Sequence, residues 1–264
     1  MKCYDFEYDN QTLSSFGFVI CKFDSGGTDS YSNGSVIDLN TVSTQYGAKV
    51  ELASSRYDEC ISATFQICID PCNLDFRTIT VEEMRSIMRW LNRRGFHKMR
   101  LIDPEYTNIY YMATFNVNRV EFDGQLVGFE LEMSTDSPFA HYETVRERVE
   151  FEGPDDDYTL VCQGDEEGYV YPETKIVVNQ EGDLSIHNDF EDRTTLIRNC
   201  KNGETITMRY PVIETSDPDH KIMDDFNWLF FRLSNTFRDR NNRITASIPC
   251  SIELRYDPIV KIGV

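Results

Sequence analysis

At 264 residues, 40% apolar and 12% aromatic, the chain is long enough for one large or two ordinary domains with a real core, and its composition excludes wholesale disorder. A formal charge of −19, shared by both halves, argues against ordinary nucleic-acid binding and against attraction to an anionic membrane. No run approaches the ~20 apolar residues needed to span a bilayer, and Met1–Tyr8 lacks the basic-then-apolar form of an export signal. The eight cysteines, Cys3, Cys21, Cys60, Cys68, Cys72, Cys162, Cys200 and Cys250, are therefore expected to be reduced thiols, several of them acting as small hydrophobes within strands.

In chain order, Ser25-Gly26-Gly27 is a turn, without the strand-then-helix setting of a phosphate loop. Ile61, Ala63, Phe65, Ile67 and Ile69 alternate with small and polar residues, which predicts a strand with one buried face, stopped by Pro71. Cys68-x-x-x-Cys72 has neither a second pair nor a histidine at zinc-ligand spacing and reads as strand and loop. From Thr80 the pattern changes. Thr80 and Glu83 form a capping box, Met84, Ile87, Met88 and Leu91 recur at helical spacing, Arg89, Arg93 and Arg94 load the last turns, and Gly95 stops a helix predicted over about 80–94.

Ile109, Tyr111, Ala113, Phe115 and Val117 then share one strand face, before Val120 and Phe122 move to the other. Such a flip predicts a bulge, or a strand that leaves one surface for another. Asp123-Gly124, a type I′ turn pair, joins this strand to one carrying Val127, Phe129, Leu131 and Met133 on one face. Glu130 and Glu132 must take the opposite face, with Glu121 near the turn. That face should be wet, because burying unpaired carboxylates is costly.

A boundary is expected between Pro138 and Asp157, where Glu152-Gly-Pro-Asp-Asp-Asp157 is acidic and turn-rich. It gives domains of about 1–145 and 146–264. In the second domain Glu181-Gly182 and Asn202-Gly203 are read as further hairpin turns, and Ile248–Tyr256 as a clean strand. Asp224–Ser234, rich in aromatics, is read as a second, weaker helix candidate or equally as a strand-rich segment.

Catalytic signals are scarce. There is no Gly-x-Ser-x-Gly elbow, no phosphate-binding Gly-Lys-Ser/Thr and no His-Glu-x-x-His. His97, His141, His187 and His220 lack nucleophile partners at a recognisable spacing, and His187 reads as exposed. Asp217-Pro-Asp-His220 with Asp224 and Asp225 offers oxygen ligands for a hard cation, but without a calcium-loop pattern it reads as a solvated loop. Trp90 and Trp228 are read as core or interface residues rather than sugar-stacking ones. The expectation is no enzyme, no catalytic residues, no metal and no cofactor.

The order of these elements resembles the siphophage distal tail proteins. The resemblance is carried by Phe16-Gly-Phe-Val-Ile20, the helix from Thr80, Lys98-Met-Arg-Leu-Ile-Asp-Pro104, Tyr110-Tyr-Met-Ala113, Gly128-Phe-Glu-Leu-Glu132 and Ser137-Pro-Phe139 in the first half. In the second half it is carried by Tyr171-Pro172, Leu184-Ser-Ile-His-Asn188, Asn202-Gly-Glu-Thr-Ile206, Leu233-Ser-Asn235 and Ser251–Tyr256. The resemblance implies a mainly β fold: a β-sandwich N-terminal domain with one packed α-helix, and a galectin-like β-sandwich C-terminal domain. It implies a virion protein of the tail tip, made in the host cytoplasm. It further implies a homohexameric ring joining the tail tube protein to a tail-associated lysin or fibre protein, with DNA passing through unbound and no membrane contact. Glu121, Glu130 and Glu132 would then be lumen-facing, since fixed negative charge keeps DNA from sticking. The alternative is a carbohydrate-binding β-sandwich module for host attachment.

Overall fold

The computed structural model describes residues 5–23, 36–43, 50–57, 59–71 and 77–263. Cys3, Cys72 and Ser25-Gly26-Gly27 lie outside the described residues. The chain forms two compact units, Met1–His141 with Lys261–Val264, and Tyr142–Val260.

In the first unit the strands are β1 (Phe6–Tyr8), β2 (Gln11–Thr12), β3 (Phe18–Cys21), β4 (Ile37–Ser43), β5 (Val50–Tyr57) and β6 (Ser62–Ile69). After helix α1 (Val81–Leu91) come β7 (His97–Leu101), β8 (Ile109–Phe122) and β9 (Gln125–Thr135). One antiparallel path runs β2-β1-β7-β8-β9-β6-β3, and β4 with β5 forms a separate two-stranded sheet.

The period-two face of β6, β8 and β9 supplies the core, with Phe65, Ile67, Phe115, Phe129, Leu131 and Met133 all buried. Each such side chain stabilises the fold by roughly 1.5–3 kcal/mol relative to exposure. Helix α1 packs on this aromatic layer. Trp90 stacks on Phe6 at 5.6 Å and on Phe16 at 4.5 Å, and its indole N–H donates to the Tyr8 carbonyl at 2.9 Å. Trp90 is thus a core residue.

The capping box is present: the Glu83 amide donates to Thr80 Oγ1 at 3.3 Å and the Thr80 amide to Glu83 Oε2 at 2.9 Å. The helix ends at Leu91, short of the expected Arg94. Arg93 is drawn away to Asp9 at 2.8 Å and over the Tyr8 ring, and Gly95 takes φ 89°.

The predicted flip in the β8 pattern corresponds to a register shift between Val120 and Glu121 against β9. Near it, Gly128 leaves room for the Phe23 ring; a Cβ there would lie 2.4 Å from the Ile67 carbonyl oxygen and 2.5 Å from Phe23. The β8–β9 turn has Asp123 at φ 48° and Gly124 at φ 73°, the left-handed pair a type I′ turn requires.

β10 (Ala140–Tyr142) leads into the second unit. There follow β11 (Val145–Phe151), β12 (Asp157–Val161), β13 (Gly168–Val170), β14 (Glu173–Val178), β15 (Gly182–Asn188), β16 (Arg193–Cys200), β17 (Thr205–Arg209) and β18 (Val212–Thr215). The chain closes with helix α2 (Ile222–Asp225), β19 (Leu233–Asn235), β20 (Asn241–Ala246), β21 (Cys250–Tyr256) and β22 (Ile259–Val260). The sheets β11-β21-β14-β17-β18 and β12-β20-β15-β16 share one core that includes Val149, Ile176, Leu184, Ile186, Ile206 and Ile252.

Two expected hairpins are corrected here. β14 and β15, around Glu181-Gly182, lie in different sheets, and so do β16 and β17, around Asn202-Gly203. After the second turn, Gly203 and Glu204 exchange backbone hydrogen bonds with Val178 at 2.8 and 2.9 Å, so the turn carries the chain across the sandwich. The same left-handed glycine serves either purpose, here with φ 83°.

The expected helix or strand over Asp224–Ser234 is also corrected. Helix ends at Asp225, and the chain to Arg232 is irregular. The Asn227 carboxamide binds the Thr194 carbonyl and the Leu229 amide at 2.9 and 3.1 Å, and Trp228 takes φ 62°. Phe226, Phe230 and Phe231 are anchored in the core regardless, so burial rather than backbone regularity fixes this segment.

Candidate functional surfaces

Among the described residues, several places gather polar, charged or exposed apolar groups. The first is the face of β6, β8 and β9 opposite the core. Registers Gln66↔Glu130↔Asn118 and Thr64↔Glu132↔Asn116 put both carboxylates in a polar row. Gln66 Nε2 donates to Glu130 at 3.3 Å and Asn118 Nδ2 to Glu132 at 2.9 Å. Glu121, beyond the bulge and opposite Leu126, is exposed near the hairpin tip and is not part of that row. Neutral amides satisfy the two carboxylates without cancelling their charge, so the face stays anionic.

On the other side of the same hairpin, α1 and β8 leave a groove of about 310 Å³. Half-buried Met84, Met88 and Val117 line it over Phe129, with Arg85, Arg89 and Arg119 around them.

The third place is an aromatic row on the second unit. Tyr169 meets Tyr171 at 5.5 Å, Tyr171 stacks on Tyr210 at 4.3 Å, and Tyr210 meets Phe230 edge-on at 5.4 Å. Phe230 continues to Phe226 at 4.9 Å and Phe226 to Trp228 at 5.8 Å. Tyr169, Tyr210 and Trp228 are exposed, Trp228 at 51%. Arg232 lies 3.9 Å over the Tyr169 ring and binds Glu191 at 2.6 Å. Burial works against the Glu191 charge, but bonds from Ser234 and Arg232 outweigh it and hold the carboxyl below its usual range.

The fourth is internal, and it corrects the reading of Asp217–His220 as a solvated loop. His220 Nδ1 sits 2.6 Å from Glu204 Oε1, and both side chains are 1% exposed. Glu204 also accepts from the Thr215 hydroxyl and from the Lys201 amide, the latter at 2.8 Å. Asp217 pairs with Lys201 at 2.5 Å, and Asp225 lies 3.4 Å from His220 Nε2 while accepting from Asn199 at 2.9 Å. These acids are engaged in tying the β16–β17 turn to α2. No cluster suited to a metal ion exists among the described residues. The sequence groups Asp217, His220 and Asp225, but no periodicity links them to Glu204, 16 positions before His220.

His187 is half-buried rather than exposed, with Nδ1 2.9 Å from the Thr194 hydroxyl and Nε2 3.2 Å from Asp189.

Residues 1–137 match the family model described as phage tail protein N-terminal domain, and residues 139–256 match the phage tail C-terminal domain. Among solved structures, the chain is similar to the SPP1 Dit (gp 19.1) protein, described as a paradigm of the hub adsorption apparatus in phages infecting Gram-positive bacteria. The TM-score is 0.64 at 12% identity, with 97% of this chain and 99% of that one covered. No curated protein matches in sequence.

Proposed function

The chain belongs to the phage tail proteins, and from that membership we propose that it is the distal tail protein of a siphophage, a structural hub at the tail tip. The observation that carries this reading is the end-to-end likeness of fold to SPP1 Dit. In this reading six copies form a ring through residues 1–145. The ring joins the tail tube protein on one side to a lysin or fibre protein on the other, through a galectin-like domain of residues 146–264, and DNA passes through the hole. The polar row of Glu130 and Glu132 faces that hole. Charge there acts only on DNA near the wall, since screening cuts it off over ~8 Å.

Light scattering on the purified full chain tests the ring. A hexamer is expected, and a monomer at every concentration overturns it. Replacing Glu130 and Glu132 by lysine is expected to slow DNA ejection; unchanged ejection kinetics would remove them from the lumen and leave the hub standing.

A second reading, glycan binding by the C-terminal domain, is favoured by one observation: the exposed rings of Tyr169, Tyr210 and Trp228, the last held at φ 62°. Sugars stack on such rings. Host cell-wall polysaccharide that binds the wild-type chain but not Trp228→Ala would support it.

A further inference from the structure

The ring reading leaves open which surfaces meet, and the first unit carries a knob and a hole of opposite charge. The hole is the groove between α1 and β8. Met84 and Met88, one turn apart on the helix, and Val117 on the strand make its apolar floor, and Arg85, Arg89 and Arg119 surround it. Thioether side chains adapt to whatever shape they receive, which suits a docking floor. Three arginines at one apolar groove are a local reversal in a chain of −19. Arg85 is held by Glu82 at 3.2 Å, whereas Arg89 and Arg119 have no carboxylate partner among the described residues.

The knob is the tip of the β8–β9 hairpin. Phe122 is 76% exposed, more than any other large hydrophobic side chain described in its unit. Glu121 and Asp123 flank it, and neither has an ion pair among the described residues. The left-handed pair Asp123 and Gly124 fixes the turn, so the knob is pre-formed and loses little freedom on docking.

The knob cannot enter the groove of its own chain. Val117 and Arg119 lie on the same strand as Phe122, and that strand is paired with β9 as far as Phe122↔Gln125. A paired extended strand cannot fold back on itself. We infer that Phe122 of one copy seats on the Met84–Met88 floor of a second copy, with Glu121 and Asp123 against Arg89 and Arg119. Knob and hole are different surfaces, so the contact can run head-to-tail from copy to copy, and it makes the ring of the reading above when the rotation between copies closes. It also explains how strongly acidic chains associate: opposite charges meet where the surfaces touch, which sets register and speeds encounter.

Three variants of the full chain test this contact, which rests on the ring reading above. Phe122→Asp, the knob reversal E121R/D123R and the groove reversal R89E/R119E are each expected to raise the concentration needed for assembly at least tenfold by light scattering. Circular dichroism should remain unchanged, because all five positions are exposed. Combining the two reversals in one chain is expected to restore assembly, with signs exchanged; failure to restore it would refute the charge pairing. A photo-crosslinking phenylalanine at position 122 is expected to yield covalent dimers joined to the 81–91 peptide. A hexamer indifferent to Phe122→Asp, with cross-links elsewhere, overturns this contact and leaves the ring intact. A wild-type chain that is always monomeric overturns both.

Discussion

His220 Nδ1 and Glu204 Oε1 lie 2.6 Å apart in a place almost sealed from water, and that contact ties the β16–β17 turn to α2. Burial works to raise the Glu204 pKa, but bonds from the Thr215 hydroxyl, His220 and the Lys201 amide outweigh it, so the carboxyl stays below its usual range. A carboxylate depressed in the folded state contributes stability that is present above its unfolded pKa and lost as pH falls through the folded one. Urea unfolding is therefore expected to show wild type losing stability below about pH 4.5, while Glu204→Gln shows a flatter profile over the same range. At pH 7, His220→Ala is expected to cost roughly 1–3 kcal/mol, since it removes one hydrogen-bond partner of a buried carboxylate. Equal pH profiles for wild type and Glu204→Gln would contradict the assignment.

Much of the first unit was legible in the sequence because its signals are local. Thr80 and Glu83 are three residues apart, and Asp123-Gly124 is a dipeptide whose φ values follow from its chemistry. Asn202-Gly203 was legible as a turn but not as a crossing between sheets, since the same backbone conformation serves both. Glu204 and His220 are 16 positions apart, one just before β17 and the other just before α2, and no periodicity links them. The candidate surfaces divide in the same way. Phe122 stood out as apolar and out of phase, and Glu130 and Glu132 as the polar face of the strand that follows. The Met84–Met88 groove exists only once a helix and a strand have packed.

The start of α1 supplies a second prediction. Arg77 grips Glu83, which holds the Glu83 carboxyl down at about 2, with the Thr80 amide and hydroxyl adding to the effect. Thr80→Ala removes the acceptor for the Glu83 amide and is expected to cost about 1 kcal/mol, read as a lower thermal midpoint. Because Glu83 is depressed, the cap contributes above the usual carboxylate range and fades as pH approaches about 2. The gap between wild type and Thr80→Ala should accordingly narrow in acid.

The thiols give a third. Cys21, Cys60, Cys68, Cys162, Cys200 and Cys250 are free, with Cys60 exposed and Cys162, Cys200 and Cys250 buried. Burial pushes Cys200 and Cys250 up to about 12, Cys200 with help from the Glu204 charge. The thiolate is the reactive form, so alkylation of the native chain at neutral pH should mark Cys60 well before these three. Alkylation of the unfolded, unreduced chain is expected to add eight groups, two of them at Cys3 and Cys72. A smaller adduct mass would mean disulfides and a different compartment.

The two tryptophans make the last prediction, because the fold places them in opposite surroundings. Trp90 is 6% exposed, stacked between Phe6 and Phe16 with its N–H bonded to the Tyr8 carbonyl. Trp228 is half-exposed on an irregular segment in the second unit. An aqueous quencher reaches an indole only where solvent does, so acrylamide should extinguish one component of the native fluorescence readily and barely touch the other. Trp228→Phe is expected to remove the quenchable, longer-wavelength component with little change in stability, since half of that ring is already in water. Trp90→Phe should remove the shielded component, and Trp90→Ala should cost roughly 3–5 kcal/mol through the cavity it leaves. If the quenchable emission instead disappears with Trp90→Phe, the packing of α1 on the β1 strand is wrong, and with it the wall of the groove that Met84 and Met88 line.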